Sequence, residues 1–210
     1  MREADHPAGA AREREVAVVL HESVLGGASL SVVRLVPLLE QYGWRLRFWA
    51  TRPSPLYDEL RGLGLRVDGA ERPVAYSLRA LGLPPGRRAR LVQLPRYLRA
   101  FRRWLRAERT DLVHANSLFT LAEALLAARD GRPIAFHVHE MLRPGRKGRF
   151  ARTLAHRLPG VVIGVSAACA DRLSAPGHPA RVVYESAPVP DHAPHRELVP
   201  GRTVVGTVGV

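Results

Sequence analysis

Residues 16–43 read VAVVLHESVLGGASLSVVRLVPLLEQYG. Val16 to Leu20 is an unbroken apolar run, with none of the alternation of a half-exposed strand. Such a run marks a strand covered on both faces, as in a parallel sheet. The pair Gly26-Gly27 follows. Leu30, Val33, Leu35, Val36, Leu38 and Leu39 then recur at helical spacing, and the pattern ends near Gly43, a helix stop. The stretch is therefore a buried strand, a glycine turn and an amphipathic helix.

Working outward, the same alternation continues. Strands are expected over residues 46–50, 65–67, 111–115, 133–138, 161–165 and 181–184. Helices are expected over 56–63, 118–128, 153–158 and 167–173, with a long one carrying Leu91, Leu94, Leu98, Phe101 and Leu105 as a stripe. Residues 71–86 and 143–149 read as loops, the first punctuated by Pro73, Pro84 and Pro85, the second basic and glycine-containing. Strand–helix alternation predicts an α/β fold: a doubly wound parallel sheet with helices on both faces.

Composition agrees. The chain has 210 residues, 46% of them hydrophobic, which is enough for a core. Its one cysteine, Cys169, excludes a disulfide framework and a cysteine-based zinc site. A cytoplasmic setting is expected. No run reaches the roughly 18 apolar residues of a membrane span. Residues 1–15 are polar and mixed in charge, and read as a disordered leader. The net charge of +13 comes nearly all from arginine. It suggests an anionic partner, or else a coding bias towards arginine.

In a doubly wound sheet, ligands bind beyond the carboxyl ends of the strands. The informative positions are thus His21 to Gly27, His114 to Ser117, His139-Glu140, Ser166 and Glu185-Ser186. Gly26-Gly27 has two readings. Glycines there let backbone amides approach a phosphate at a positive helix end, or they serve a tight turn that needs positive φ. Neither the GxGxxG fingerprint nor a P-loop is present. In His137-Val138-His139-Glu140 the two histidines share a strand face. A metal site would need a third ligand, and none stands out by spacing, so no metal is expected. His114 is a conceivable partner. His139 reads as a sugar or phosphate contact, or as a hydrogen-bonded strand-end histidine.

The stretch from Arg79 to Arg109 holds one acid, Glu108, and a second basic patch runs over 143–157. A solvated helix face or an anionic membrane surface would account for these. No nucleic-acid partner is expected: Tyr97, Phe101 and Trp104 lie on or beside the apolar stripe instead of alternating with the cations. There is no GxSxG elbow. Ser166 reads as the cap of the helix that follows it.

Taken in order, several fragments resemble the N-terminal domain of retaining glycosyltransferases of family four. They are the first strand with Gly26-Gly27-Ala28, Asp111 to Ser117, Pro133-Ile134 leading to His139-Glu140, Val162 to Ser166, and Val182-Val183-Tyr184 before a proline-rich stretch. The resemblance spans roughly residues 16–210. It implies one Rossmann-like half of a GT-B fold, which mainly binds the acceptor and faces a donor-binding half. It implies transfer of a sugar from a nucleotide-diphospho-sugar to a glycan or lipid-linked acceptor, with retention and with no cofactor. Carried over residue by residue, Gly26, Gly27 and Ala28 approach the donor's phosphates and sugar, and His139 contacts the transferred sugar as the catalytic residue. His21, Asn116, Ser117, Glu140, Ser166 and Glu185 would line the cleft.

Two departures stand out. Ala28-Ser29 follows the glycine pair where the family often has an acid, and Glu185-Ser186 replaces a common Asn-Gly. The expected organisation is a domain over 16–186, a linker over 187–202, and over 203–210 the first strand of a C-terminal domain that the chain does not contain. Little transferase activity is expected of the chain alone. The alternative is a non-catalytic basic module that binds an acceptor or an anionic membrane surface, peripheral to its inner face.

Overall fold

The computed structural model describes residues 13–72, 87–107 and 109–185, and the side chains of 87–92 lie outside that description. The expected leader up to residue 12, most of the loop over 71–86, Ser186, the linker and the last strand all fall outside the described residues.

The elements alternate as expected: β1 (Arg14–Val19), α1 (Gly27–Gln41), β2 (Trp44–Thr51), α2 (Pro55–Gly62), β3 (Val67–Ala70) and α3 (Arg87–Ala107). Then come β4 (Leu112–Ala115), a 3-10 turn (Leu118–Thr120), α4 (Leu121–Arg129), β5 (Ile134–Val138), α5 (Arg146–Ala155), β6 (Gly160–Gly164), α6 (Ala167–Leu173) and β7 (Arg181–Val182). The sheet has seven strands in the order β3-β2-β1-β4-β5-β6-β7. Every pair is parallel, so all the carboxyl ends lie along one edge. The order in which strands are added reverses between β1 and β4, the switch point where such sheets open a crevice. The architecture is a Rossmann-like doubly wound sheet.

The apolar run of β1 divides between two cores by strand alternation. Ala17 and Val19 join Trp49, Tyr97, Phe101, Trp104, Val113 and Phe136 on the face covered by α3 and α4. Val16, Val18 and Leu20 join Val32, Val36, Phe48, Leu56 and Leu60 on the face covered by α1 and α2. The α3 stripe is real from Tyr97 onward, while Leu94 is exposed. Its charged side is partly ion-paired: Arg102 and Arg106 both reach Asp130, each with an N···O distance of 2.7 Å.

Several boundaries differ from the sequence reading, three of them for a visible reason. β1 starts two residues before the apolar run, because Arg14 N donates to Gly43 O and Glu15 N to the Asp111 carboxylate, both at 2.9 Å. β3 lies later than 65–67: Val67 to Ala70 pair with Phe48 to Thr51. Its polar edge residue Asp68 accepts the Trp104 indole N–H at 3.0 Å, a tie that hydropathy does not show. The expected basic loop over 143–149 is largely helical. Gly145, at φ 116°, turns the chain, and the arginines and lysine after it are good helix formers.

Candidate functional site

α1 begins directly over the switch point. Gly26 is its N-cap with φ −99° and ψ −179°, and Gly27 is not among the glycines with positive φ. The turn therefore does not need left-handed backbone. Ser29, not a special φ, closes the turn: its Oγ accepts from Gly26 N at 3.0 Å. The Glu22 carboxylate accepts from Ser29 N at 3.1 Å. A carboxylate thus already sits at the positive end of α1, as helix electrostatics favours. A Cβ on Gly26 would meet Glu22 Oε1 at 2.7 Å, whereas one on Gly27 would meet nothing within 4 Å.

Asn116, at the end of β4 and only 1% exposed, bridges the switch point. Its Nδ2 donates to Ala28 O at 2.8 Å, and its Oδ1 lies 3.0 Å from His139 Nε2. The other ring nitrogen of His139, Nδ1, lies 3.2 Å from Glu185 Oε1. Glu185 Oε1 is also 2.6 Å from the Ser31 hydroxyl on α1. The loops after β1, β4, β5 and β7 thereby meet around His139.

Other expected residues have more local work. Glu140 holds the start of the 3-10 turn: Ser117 Oγ donates to it through a very short hydrogen bond, and Leu118 N donates at 3.0 Å. Ser166 caps α6 by accepting from Cys169 N at 3.2 Å. His21 packs on Phe119 with ring centroids 5.0 Å apart.

His114, His137 and His139 form a row on one sheet face. Ring centroids are 5.5 Å apart between His114 and His137, and 4.5 Å between His137 and His139. Burial lowers the pKa of His114 to about 3 and of His137 to about 4, and neighbouring imidazoles push the same way. Burial likewise lowers His21 to about 4. These three rings are neutral at pH 7. Nε2 of His114, Nε2 of His137 and Nδ1 of His21 are enclosed with no hydrogen-bond partner.

Sequence reading missed three contributors. Glu22 lies within the strand-end span His21 to Gly27 but was given no role there; an acid shortly before a helix start was the available signal. Ser31 reads as one more helix residue. Arg72 is 8% exposed and donates to Glu123 at 2.8 Å and to Phe119 O at 2.7 Å, behind the site. It lies in an irregular stretch and carries no motif.

Beside Glu140 runs a cleft of about 1380 Å³, between the 3-10 turn with α4 and the segment entering α5. Leu118, Leu125, Met141, Leu142 and Leu154 supply its apolar wall, and Arg143, Arg146 and Lys147 are among its lining.

The fold has known counterparts. HepE from Anabaena, in complex with UDP and glucose, superposes with a TM-score of 0.57 at 20% identity over 82% of this chain and 44% of its own. MurG from Acinetobacter baumannii gives 0.58 at 14% identity, over 81% and 45%. The lipopolysaccharide outer core galactosyltransferase WaaB, apo form, gives 0.59 at 14% identity, over 88% and 50%. This chain thus spans about half the length of each neighbour or less. Comparison with curated proteins finds no match. The sequence pattern of Glycosyltransferase Family 4 matches residues 25–186. That span runs from the turn before α1 to just past β7 and holds His139 and its partners: the chain belongs to Glycosyltransferase Family 4, and its fold is a Rossmann-like half of the GT-B kind.

Proposed function

We propose that this domain takes part in retaining transfer of a sugar from a nucleotide-diphospho-sugar to a glycan or lipid-linked acceptor, together with a donor-binding half. The observation that carries the reading is the Asn116 bridge. It holds the start of α1 against His139 at the switch point, within the family-matched span. A departing nucleoside diphosphate gathers negative charge, and preorganised N–H groups stabilise it. In this reading the amides of Gly27 and Ala28 serve that task, and His139 contacts the transferred sugar. The apolar cleft with its basic rim suits an acceptor with an anionic head and an apolar tail, held by positioning.

The test is turnover of a panel of nucleotide-sugars by the chain, alone and joined covalently to a second Rossmann-like domain of the same family. Transfer by the joined protein, strongly reduced by His139→Ala and nearly absent from the 210-residue chain, supports the reading. Robust turnover by the chain alone overturns this division of labour.

A second reading has its own observation. Met141 and Phe150 are 62% and 64% exposed, and Arg143, Arg146, Lys147 and Arg149 flank them. Apolar side chains among cations suit an anionic membrane surface. No helix among the described residues is long and apolar enough to cross a membrane. Flotation with anionic against neutral liposomes tests this docking, and charge-independent or absent binding removes it.

A further inference from the structure

Glu185 Oε1 rests between two groups that the fold brings together at the switch point. The Ser31 hydroxyl, on α1, is 2.6 Å away. Nδ1 of His139, at the end of β5, is 3.2 Å away. One oxygen thus meets one hydroxyl and one ring nitrogen.

A carboxylate fits poorly between those two groups. Asn116 Nδ2 donates to Ala28 O at 2.8 Å, so Oδ1 is the atom that faces His139 Nε2. An oxygen acceptor there calls for a hydrogen on Nε2, which leaves the neutral ring a bare lone pair on Nδ1. That lone pair faces a group that, when ionised, only accepts. Ser31 is no surer a donor. It has one hydroxyl hydrogen, and Ala28 O, 2.9 Å away, competes for it with Glu185. The contact therefore closes well only by taking up an extra proton, on the ring or on the carboxyl group. It is also open to water: Glu185 is 32% exposed, and an ion pair in such a setting is worth little.

A neutral hydroxyl in the same place has none of these conflicts. Its hydrogen goes to Nδ1 and its oxygen accepts from Ser31, with no added proton. We propose that Ser31 and His139 together bind one hydroxyl of the transferred sugar, and that Glu185 covers this site until the hydroxyl displaces it. The site rests on the transferase reading above and adds Ser31 to it. It leaves Nε2 of His139 to Asn116 and returns Nδ1 to the substrate. His139 is 13% exposed, so withdrawal of the carboxylate over it opens the ring to the crevice. Among the described residues the polar contacts of Glu185 are Ser31 and His139. The carboxylate therefore competes with the sugar and not with the diphosphate.

The test has two arms. In the 210-residue chain, nitrogen chemical shifts of the His139 ring are compared with those of Glu185→Ala. Loss of the carboxylate should move Nδ1 to the shift of an unprotonated nitrogen and leave Nε2 protonated. An unchanged Nδ1 overturns the cover. In the joined two-domain protein, calorimetry compares UDP, GDP, ADP and dTDP with the glucose ester of each. A cover lowers apparent affinity by the fraction of molecules it leaves open; with about nine in ten covered, Glu185→Ala should tighten nucleotide-sugar binding about tenfold. Binding of the bare diphosphate should not change. Adding Ser31→Ala should then weaken nucleotide-sugar binding about fivefold, the loss of one ordinary hydrogen bond, again without effect on the diphosphate. Equal effects on nucleotide-sugar and diphosphate, or no effect on either, overturn the sugar site and leave the transferase reading in place. Absence of binding by all of these compounds overturns the transferase reading, and the sugar site with it.

Discussion

Asn116 Oδ1 lies 3.0 Å from Nε2 of His139, and the amide that carries it cannot flip without losing Ala28 O. One side chain at the end of β4 therefore fixes both the entry of α1 and the orientation of a ring at the end of β5. Packing alone leaves an imidazole two orientations and two tautomers. The carboxamide removes that freedom.

Asn116→Ala should accordingly act on stability and on the ring together. It strands a carbonyl and a ring nitrogen where water has little access. The expected loss is about 1–3 kcal/mol, the usual cost of a buried polar group left unpaired. Thermal unfolding measures the loss, and nitrogen chemical shifts of His139 report its tautomer. An unchanged tautomer would show that Asn116 does not orient the ring.

The fold was legible because β1 buries both faces, which leaves an unbroken Val16 to Leu20 that only a sandwiched strand explains. The role of Ser166 was legible for a similar reason, since a cap is a local interaction. The meeting of Asn116, Glu185 and Ser31 was not legible, because it depends on register between strands far apart in sequence. Glycine misled for another reason. Gly26-Gly27 suggests positive φ, but Gly26 is extended, and the turn is closed by a serine hydroxyl and the Glu22 carboxylate. The helix over 146–155 was obscured because a basic, glycine-containing run looks like a loop by composition.

Gly26→Ala separates fold from ligand approach. Its backbone conformation is open to any residue, and the added Cβ meets only the movable end of Glu22. The Glu22 carboxylate must move aside and loosen its hold on Ser29 N, so the expected loss of stability is about 0.5–2 kcal/mol, that of a weakened helix cap. If the bare backbone is there to meet a diphosphate, binding of a nucleoside diphosphate to the joined two-domain protein should still weaken several-fold. Unchanged binding would assign the glycine to the turn alone.

Burial of neutral histidines makes the domain acid-sensitive. The pKa of His114 falls to about 3 from an ordinary 6.5, chiefly through desolvation, and those of His21 and His137 fall to about 4. Below pH 6.5 the unfolded chain takes up protons that the native rings refuse. Stability is therefore at its full value above pH 6.5 and declines as pH falls towards those lowered values. For His114 the slope is about 1.4 kcal/mol per pH unit. Urea unfolding at a series of pH values should show the decline between pH 6 and 4, and His114→Leu should make it shallower. An equal slope in that variant would mean that His114 is not buried neutral.

Gly164 offers the opposite case to Gly26. It ends β6 where α6 crosses, and a Cβ there would stand 2.6 Å from Ala170 N and 2.9 Å from Ala170 Cα. Those atoms are helix backbone and cannot swing aside. α6 would have to lift from the sheet, and Leu173 and Cys169, which pack in the core beneath it, would move with it. Overpacking of this kind costs about 1–3 kcal/mol. The cost extends to the site, because Cys169 Sγ lies 3.3 Å from both Val138 O and Glu140 O and shares its one S–H between them, on either side of His139. Gly164→Ala should therefore lower the melting temperature and also disturb the His139 ring resonances. A melting temperature equal to that of the parent chain would show that α6 does not lie so close to β6.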